Sequence, residues 1–153
     1  MTPIAIPQRL QDGQFRFVKL PARSKKPFEY EWQKKPHPLE EIEKWIASGA
    51  NYGVLGGENG LIIIDADNPL ISALVRAGIP DTFTVKTPRT GEHFYLDCPE
   101  ITSKIILRQG SKGEEVHFGE IISGGGQVVG PGSIHPDTGT PYLVVNDVPI
   151  AKV

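Results

Sequence analysis

The sequence predicts a mixed α+β fold, a largely antiparallel sheet with flanking helices. Three observations carry this. Short apolar or alternating runs recur along the chain, each bounded by Gly, Pro or Asp. Two stretches, 37–51 and 69–78, have the apolar spacing of a helix instead. There is no internal repeat and no low-complexity linker, and 153 residues suit one domain spanning 1–153.

The elements follow in order. Residues 1–37 are rich in Pro and Lys and hold one predicted strand, "FRFVKL", in which Phe15, Phe17 and Lys19 alternate with Arg16, Val18 and Leu20. "HPLEEIEKWIASGAN" predicts a helix: Pro38 opens it, Glu40 and Glu41 occupy the first turn, and Gly49 marks the exit. Its apolar stripe is Leu39, Ile42, Trp45 and Ile46. "YGVLGG" is a short strand or turn leading into the apolar run 61–67. Asn68 and Pro69 make an N-cap and first-turn pair for a second helix through Leu70, Ile71, Leu74 and Val75, closed by Gly78. Strands then dominate, in "TFTVKT", "HFYLD", "EEVHFGEII", "QVVG" and "PYLVV".

Composition bounds the function classes. The net charge of −2 and pI near 6.1 rule out a global basic field for nucleic acid. The lone Cys98 excludes a disulfide framework and a multi-cysteine zinc site. No apolar run approaches the ~20 residues of a membrane span, and "MTPIAIPQRL" lacks a signal-peptide pattern, so a cytoplasmic location is expected.

Three stretches carry chemistry. In "GLIIIDADNP" an apolar strand runs into Asp65 and Asp67, which on a strand share one face roughly 7 Å apart. Ile62, Ile64 and Ala66 then take the opposite, buried face, with Leu61 and Ile63 behind the acids. Paired carboxylates repel unless a cation lies between them, and a hard ion such as Mg²⁺ takes one or two carboxylates plus phosphates. A plainer role is also open, in which Asp67 helps cap a helix and Asp65 is solvated. In "KTPRTGEHFYL" a Pro- and Gly-containing turn carries Lys86, Arg89 and His93, a set suited to anionic oxygens or to an ordinary hairpin. In "GEIISGGGQVVGPGSIHPDTGTPY" three glycines imply a hairpin turn or a close backbone approach. Glu120 precedes that turn, and a rigid loop after it holds Ser133 and His135.

In this order the three stretches resemble the bifunctional primase–polymerase domain of the archaeo-eukaryotic primase superfamily, found on plasmids, viruses and mobile elements. The lead-in "KKPFEYEWQ", a helix and "GANYGVLGGENGLIIIDAD" resembles that family too, so the likeness runs from about Lys25 to Tyr142. The resemblance implies a catalytic core containing an RRM-like unit, nucleotidyl transfer from dNTPs or NTPs on a single-stranded DNA template, and Mg²⁺ or Mn²⁺ as cofactor. It assigns Asp65, Asp67 and Glu120 to the metal and His93 to the phosphates of the incoming nucleotide. Arg89 and Lys86 stand beside that histidine, and Ser133 and His135 match a loop that shapes or contacts the nucleotide site. Glu120 stands where the family usually has Asp, with Glu114 and Glu115 as rivals further from the glycines. "PGS" replaces the family's commoner double proline.

Two basic clusters are candidates for nucleic acid: Lys25, Lys26, Lys34 and Lys35 (with Arg23), and Lys104, Arg108 and Lys112. Solvated surface charge explains either one equally well. Two other function classes stay open: a metal-dependent nuclease that needs no triphosphate, and a non-catalytic nucleotide or nucleic-acid module of a replication protein. Family members often continue into further elements, such as a helicase. The chain is therefore expected to be a minimal domain or part of a longer replication protein.

Overall fold

The computed structural model describes residues 4–110, 113 and 116–153. Runs of Val, Ile, Leu and aromatic residues between turn formers become strands here, because alternate side chains can bury on two faces of a sheet. The elements are β1 (Phe17–Leu20), α1 (Leu39–Ile46), β2 (Asn51–Leu55), β3 (Leu61–Ala66), α2 (Pro69–Gly78), β4 (Thr84–Lys86), β5 (Glu92–Asp97), β6 (Ile105–Gln109), β7 (Val116–Ile122), β8 (Gln127–Val129), β9 (Leu143–Asn146) and β10 (Ala151–Lys152). The expected α+β class, antiparallel sheets with flanking helices, is what forms.

The strands sort into two sheets. A small antiparallel sheet has the order β1-β2-β8, and a large one has the order β6-β7-β3-β5-β4-β9. Strand β10 joins the large sheet beside β5, in parallel; the other ladders are antiparallel.

Strand β3 is central, and its alternation divides the core. Leu61 and Ile63 turn to the main core with Tyr95, Phe83, Val85 and the small sheet, to which Ile42 and Ile46 of α1 also contribute. Ile62, Ile64 and Ala66 turn the other way and pack with Phe94, Leu96 and Ile71 of α2. Both faces of β3 are thus buried, which corrects the expectation of a single buried face. Each of these isoleucines contributes about 1.5–3 kcal/mol by leaving water, so β3 is a stiff base for what it carries.

Several expected details change. "QVVG" and "EEVHFGEII" do not form a hairpin: β7 belongs to the large sheet and β8 to the small one. The triple glycine is the crossing between them, closed by Gly126 N–H donating to Ser123 O at 3.1 Å, with Gly125 at φ 83°. On α2, Leu70 and Leu74 face solvent, while Ile71, Ser72 and Val75 face the sheet. Two strands had no counterpart in the sequence reading: β6, which lies within the second basic cluster, and β10. Among the described residues no helix is long and apolar enough to cross a membrane.

Candidate active site

Register brings three predicted residues into one row. Asp65 of β3 lies opposite His93 of β5 on one side and Glu120 of β7 on the other. Directly opposed residues share a face, so the row crosses three adjacent strands. It sits at the end of the buried run, where the main core gives way to solvent. Gly119 makes the close packing there possible. A Cβ at this position would stand 1.9 Å from Asp65 O, and its φ of 144° is one that L side chains rarely adopt.

Asp67 lies one residue beyond β3, tied to β7 by its N–H donating to Phe118 O at 3.0 Å. Thr90 Oγ1 donates to Asp67 O at 2.9 Å, and Asn68 Oδ1 accepts from Ile71 N at 3.0 Å as the cap of α2. The helix therefore starts at Asn68 as expected, and Asp67 is left free of the capping role.

The two aspartates are pushed in opposite directions. Burial alone would raise the Asp65 carboxyl, but the hydrogen bond and charge of His93, with His117 and Lys25, hold it below its ordinary value. Asp67 is raised, first by burial and then by the charges of Asp65 and Glu120, against a smaller opposing pull from His117. Paired groups driven apart in this way are characteristic of working sites.

His117 was not singled out in the sequence, yet its Nδ1 lies 3.3 Å from Asp67 Oδ2 and its Nε2 3.9 Å from Glu120 Oε1. On a regular strand residues 117 and 120 would face opposite ways. A bulge changes this: Leu107 pairs with Gly119 and Arg108 with His117, leaving Phe118 as the extra residue. The one available signal was Gly119, an isolated glycine inside a strand pattern.

Beside the row opens a cleft of ≈ 360 Å³ between the large sheet and β8. Asp65, Asp67, Arg89, His93 and His135 line it, with Lys25 and Tyr142. Tyr142 lies between two imidazoles, its ring centroid 6.0 Å from that of His93 and 6.0 Å from that of His135. Its phenol is pushed up to about 12 by burial and then by the Asp65 charge. His135 Nδ1 accepts from Asp137 N at 3.1 Å, and burial and then Lys25 lower its pKa, so the ring is neutral with its proton on Nε2. His93 Nε2 faces Asp65 Oδ1, while its buried Nδ1 has no hydrogen-bond partner among the described residues.

Ser133, Lys86, Lys104 and Arg108 are not among the residues that line the cleft. Ser133 is fully buried, its Oγ accepting from Tyr52 N at 3.2 Å and donating to Tyr52 O at 3.3 Å. It fastens the loop to β2. Lys86 is exposed, with Nζ 3.5 Å from Arg89 O. Arg89 holds Asp137 at 2.6 Å across the mouth. Lys104 Nζ lies 3.7 Å from Glu120 Oε1, and Arg108 is the cross-strand partner of His117. Lys112, Glu114 and Glu115 lie outside the described residues.

The carboxylates of Asp65 on β3, Asp67 just beyond it and Glu120 on β7 are the hard oxygen donors that Mg²⁺ or Mn²⁺ takes, and Asp67 is raised first by burial and then by repulsion from the other two. The donor chemistry fits. As the side chains stand, Asp67 and Glu120 are turned to His117. Among the described residues no three of His, Cys, Asp or Glu are gathered as a metal cage.

No curated protein matches the chain. Residues 8–153 match the family model described as bifunctional DNA primase/polymerase, N-terminal, and the chain belongs to that family.

Proposed function

We propose that this chain acts as a single catalytic domain that transfers nucleotides from dNTPs or NTPs to a strand end, directed by a template, in plasmid- or virus-type replication. The observation that carries the reading is the row His93–Asp65–Glu120, joined by Asp67 and opening on a cleft lined by Arg89 and His135. Primase/polymerase chemistry in general follows from the family.

Asp65, Asp67 and Glu120 would hold Mg²⁺ or Mn²⁺. The ion would supply a lowered pKa at the attacking 3′-hydroxyl and neutralisation at the phosphates. The protein's own share is mainly positional and electrostatic. Strand β3 fixes the acids against movement. Arg89 reaches the cleft with 62% of its side chain exposed, so a triphosphate can compete with Asp137 for it. His93 places an imidazole beside Asp65 in the wall of the cleft, where it would face the phosphates of a bound triphosphate. His135 keeps a neutral ring whose Nε2 carries a donor proton.

The reading is tested by titrating Mg²⁺ or Mn²⁺ while following the melting temperature, and by measuring triphosphate binding. The ion should raise the melting temperature of the wild type and leave the Asp65→Asn/Asp67→Asn protein unmoved. His93→Ala should weaken dNTP binding more than DNA binding. A shift that persists in the double variant would place the ion elsewhere.

A further inference from the structure

Residues 21–37 run from the end of β1 back to β1, where His37 N donates to Phe17 O at 3.0 Å and His37 O accepts from Phe17 N at 2.9 Å. The strap is fastened from inside. Asn51 Nδ2 donates to Ser24 O at 3.1 Å and Gln127 Nε2 to Lys25 O at 3.2 Å. His37 Nε2 holds Glu29 Oε1 at 2.7 Å, and Trp32 packs on the main core.

What it shows to solvent serves none of these anchors. Tyr30 is 80% exposed and Phe28 is 56% exposed. Phe28 is stacked on Trp45 with centroids 5.5 Å apart, and Lys35 Nζ stands 6.0 Å from the Tyr30 centroid. Lys25, Lys26, Lys34 and Lys35 are all exposed. Residues 23–35 carry five cations and two carboxylates in a chain whose net charge is −2. Of those carboxylates, Glu29 is taken by His37 and Glu31 lies 3.7 Å from Lys34. The basic strap also reaches the active site, because Lys25 lines the cleft with Asp65 and Arg89.

We propose that this strap is a platform for single-stranded nucleic acid. Bases stack on Tyr30 and Phe28, and the four lysines track the phosphates towards the cleft. Sequence-tolerant single-strand binding needs these two components, a π-face for unpaired bases and cations along the backbone. A duplex hides its base faces and would gain only from the lysines. The platform rests on the nucleotidyl-transfer reading for its purpose, as the seat of the template, but binding to it requires neither metal nor triphosphate.

The test is a fluorescence-anisotropy titration of labelled oligo-dT, roughly 12 nucleotides long, in EDTA. Tyr30→Ala should weaken binding about 10-fold, and Tyr30→Trp should retain it. Replacing the four lysines by Gln should flatten the salt dependence by up to about 0.7 per lost phosphate contact. Matching melting temperatures exclude unfolding as the cause, since these side chains are exposed. Wild-type binding that ignores both Tyr30→Ala and the lysine changes would overturn the platform and leave the catalytic reading standing. Oligo-dT binding that depends on Tyr30 in a protein that incorporates no nucleotide would sink the catalytic reading and keep the platform.

Discussion

Asp65 and His93 face each other across the β3–β5 ladder, with His93 Nε2 3.4 Å from Asp65 Oδ1. This pairing keeps a half-buried carboxylate ionised at the end of an apolar strand, while Asp67 just beyond it is pushed the other way. The two acids therefore act oppositely on stability. Asp65 is held below its ordinary value, so the stability it contributes is present at neutral pH and is lost as pH falls through the folded-state value. Asp67 is raised, so stability declines as pH rises from the ordinary carboxylate value through the raised one.

Single substitutions should separate the pair. At neutral pH without divalent ions, Asp65→Asn is expected to lower the melting temperature and Asp67→Asn to raise it, each by about 2 °C. Thermal melts across the acid range check this, and equal shifts of the same sign would mean that the two carboxyls are not split.

His117 engages the oxygens of Asp67 and Glu120 that a cation would need. An exposed pair of this kind is worth up to about 1 kcal/mol. Its removal in His117→Ala should strengthen Mg²⁺ binding about 2–5-fold by calorimetry. Weaker binding would instead show that the imidazole is itself a ligand.

Gly119 allows β7 to lie close to β3 beside the acids. Gly119→Ala should cost at least ~3 kcal/mol in denaturant unfolding, because the new methyl group meets the Asp65 carbonyl and the backbone is one that Ala resists. A loss below 1 kcal/mol would mean that the bulge can relax and that the row does not depend on it.

Ser133 and His135 belong to one loop but do different work. Ser133→Ala removes two contacts to the Tyr52 backbone and should cost about 1–2 kcal/mol of stability with nucleotide affinity unchanged. His135→Ala, at the cleft, should weaken nucleotide binding several-fold. Melting curves and equilibrium dialysis of dNTP distinguish these outcomes, and an affinity loss in Ser133→Ala would make its hydroxyl a ligand contact.

The parts legible in the sequence are those set by local periodicity. Apolar runs bounded by turn residues located β3 and β5, helical spacing with Pro38 and Gly49 located α1, and the Asn68-Pro69 pair located the start of α2. Asp65, Glu120 and His93 could be named from motif order, and pairing register then placed them side by side. What escaped depends on non-local geometry. His117 joins the site only through a bulge set by β6, itself an edge strand whose exposed Ile105 and Ile106 gave no clear alternation. The triple glycine looked like a hairpin because sheet membership is decided by the partners of β8, far away in sequence. The burial of Ser133 against Tyr52 likewise depends on a contact between segments far apart in sequence.

The most direct measurement is extension of a labelled DNA primer on a template with Mn²⁺ and four dNTPs, beside the same mixture without primer and beside Asp65→Asn/Asp67→Asn. The wild type should give template-directed products and the double variant none, with products lacking a primer marking a primase as well. A shortened primer, or an unchanged primer with triphosphate still bound, would contradict nucleotidyl transfer and make the chain a nuclease or a binding module.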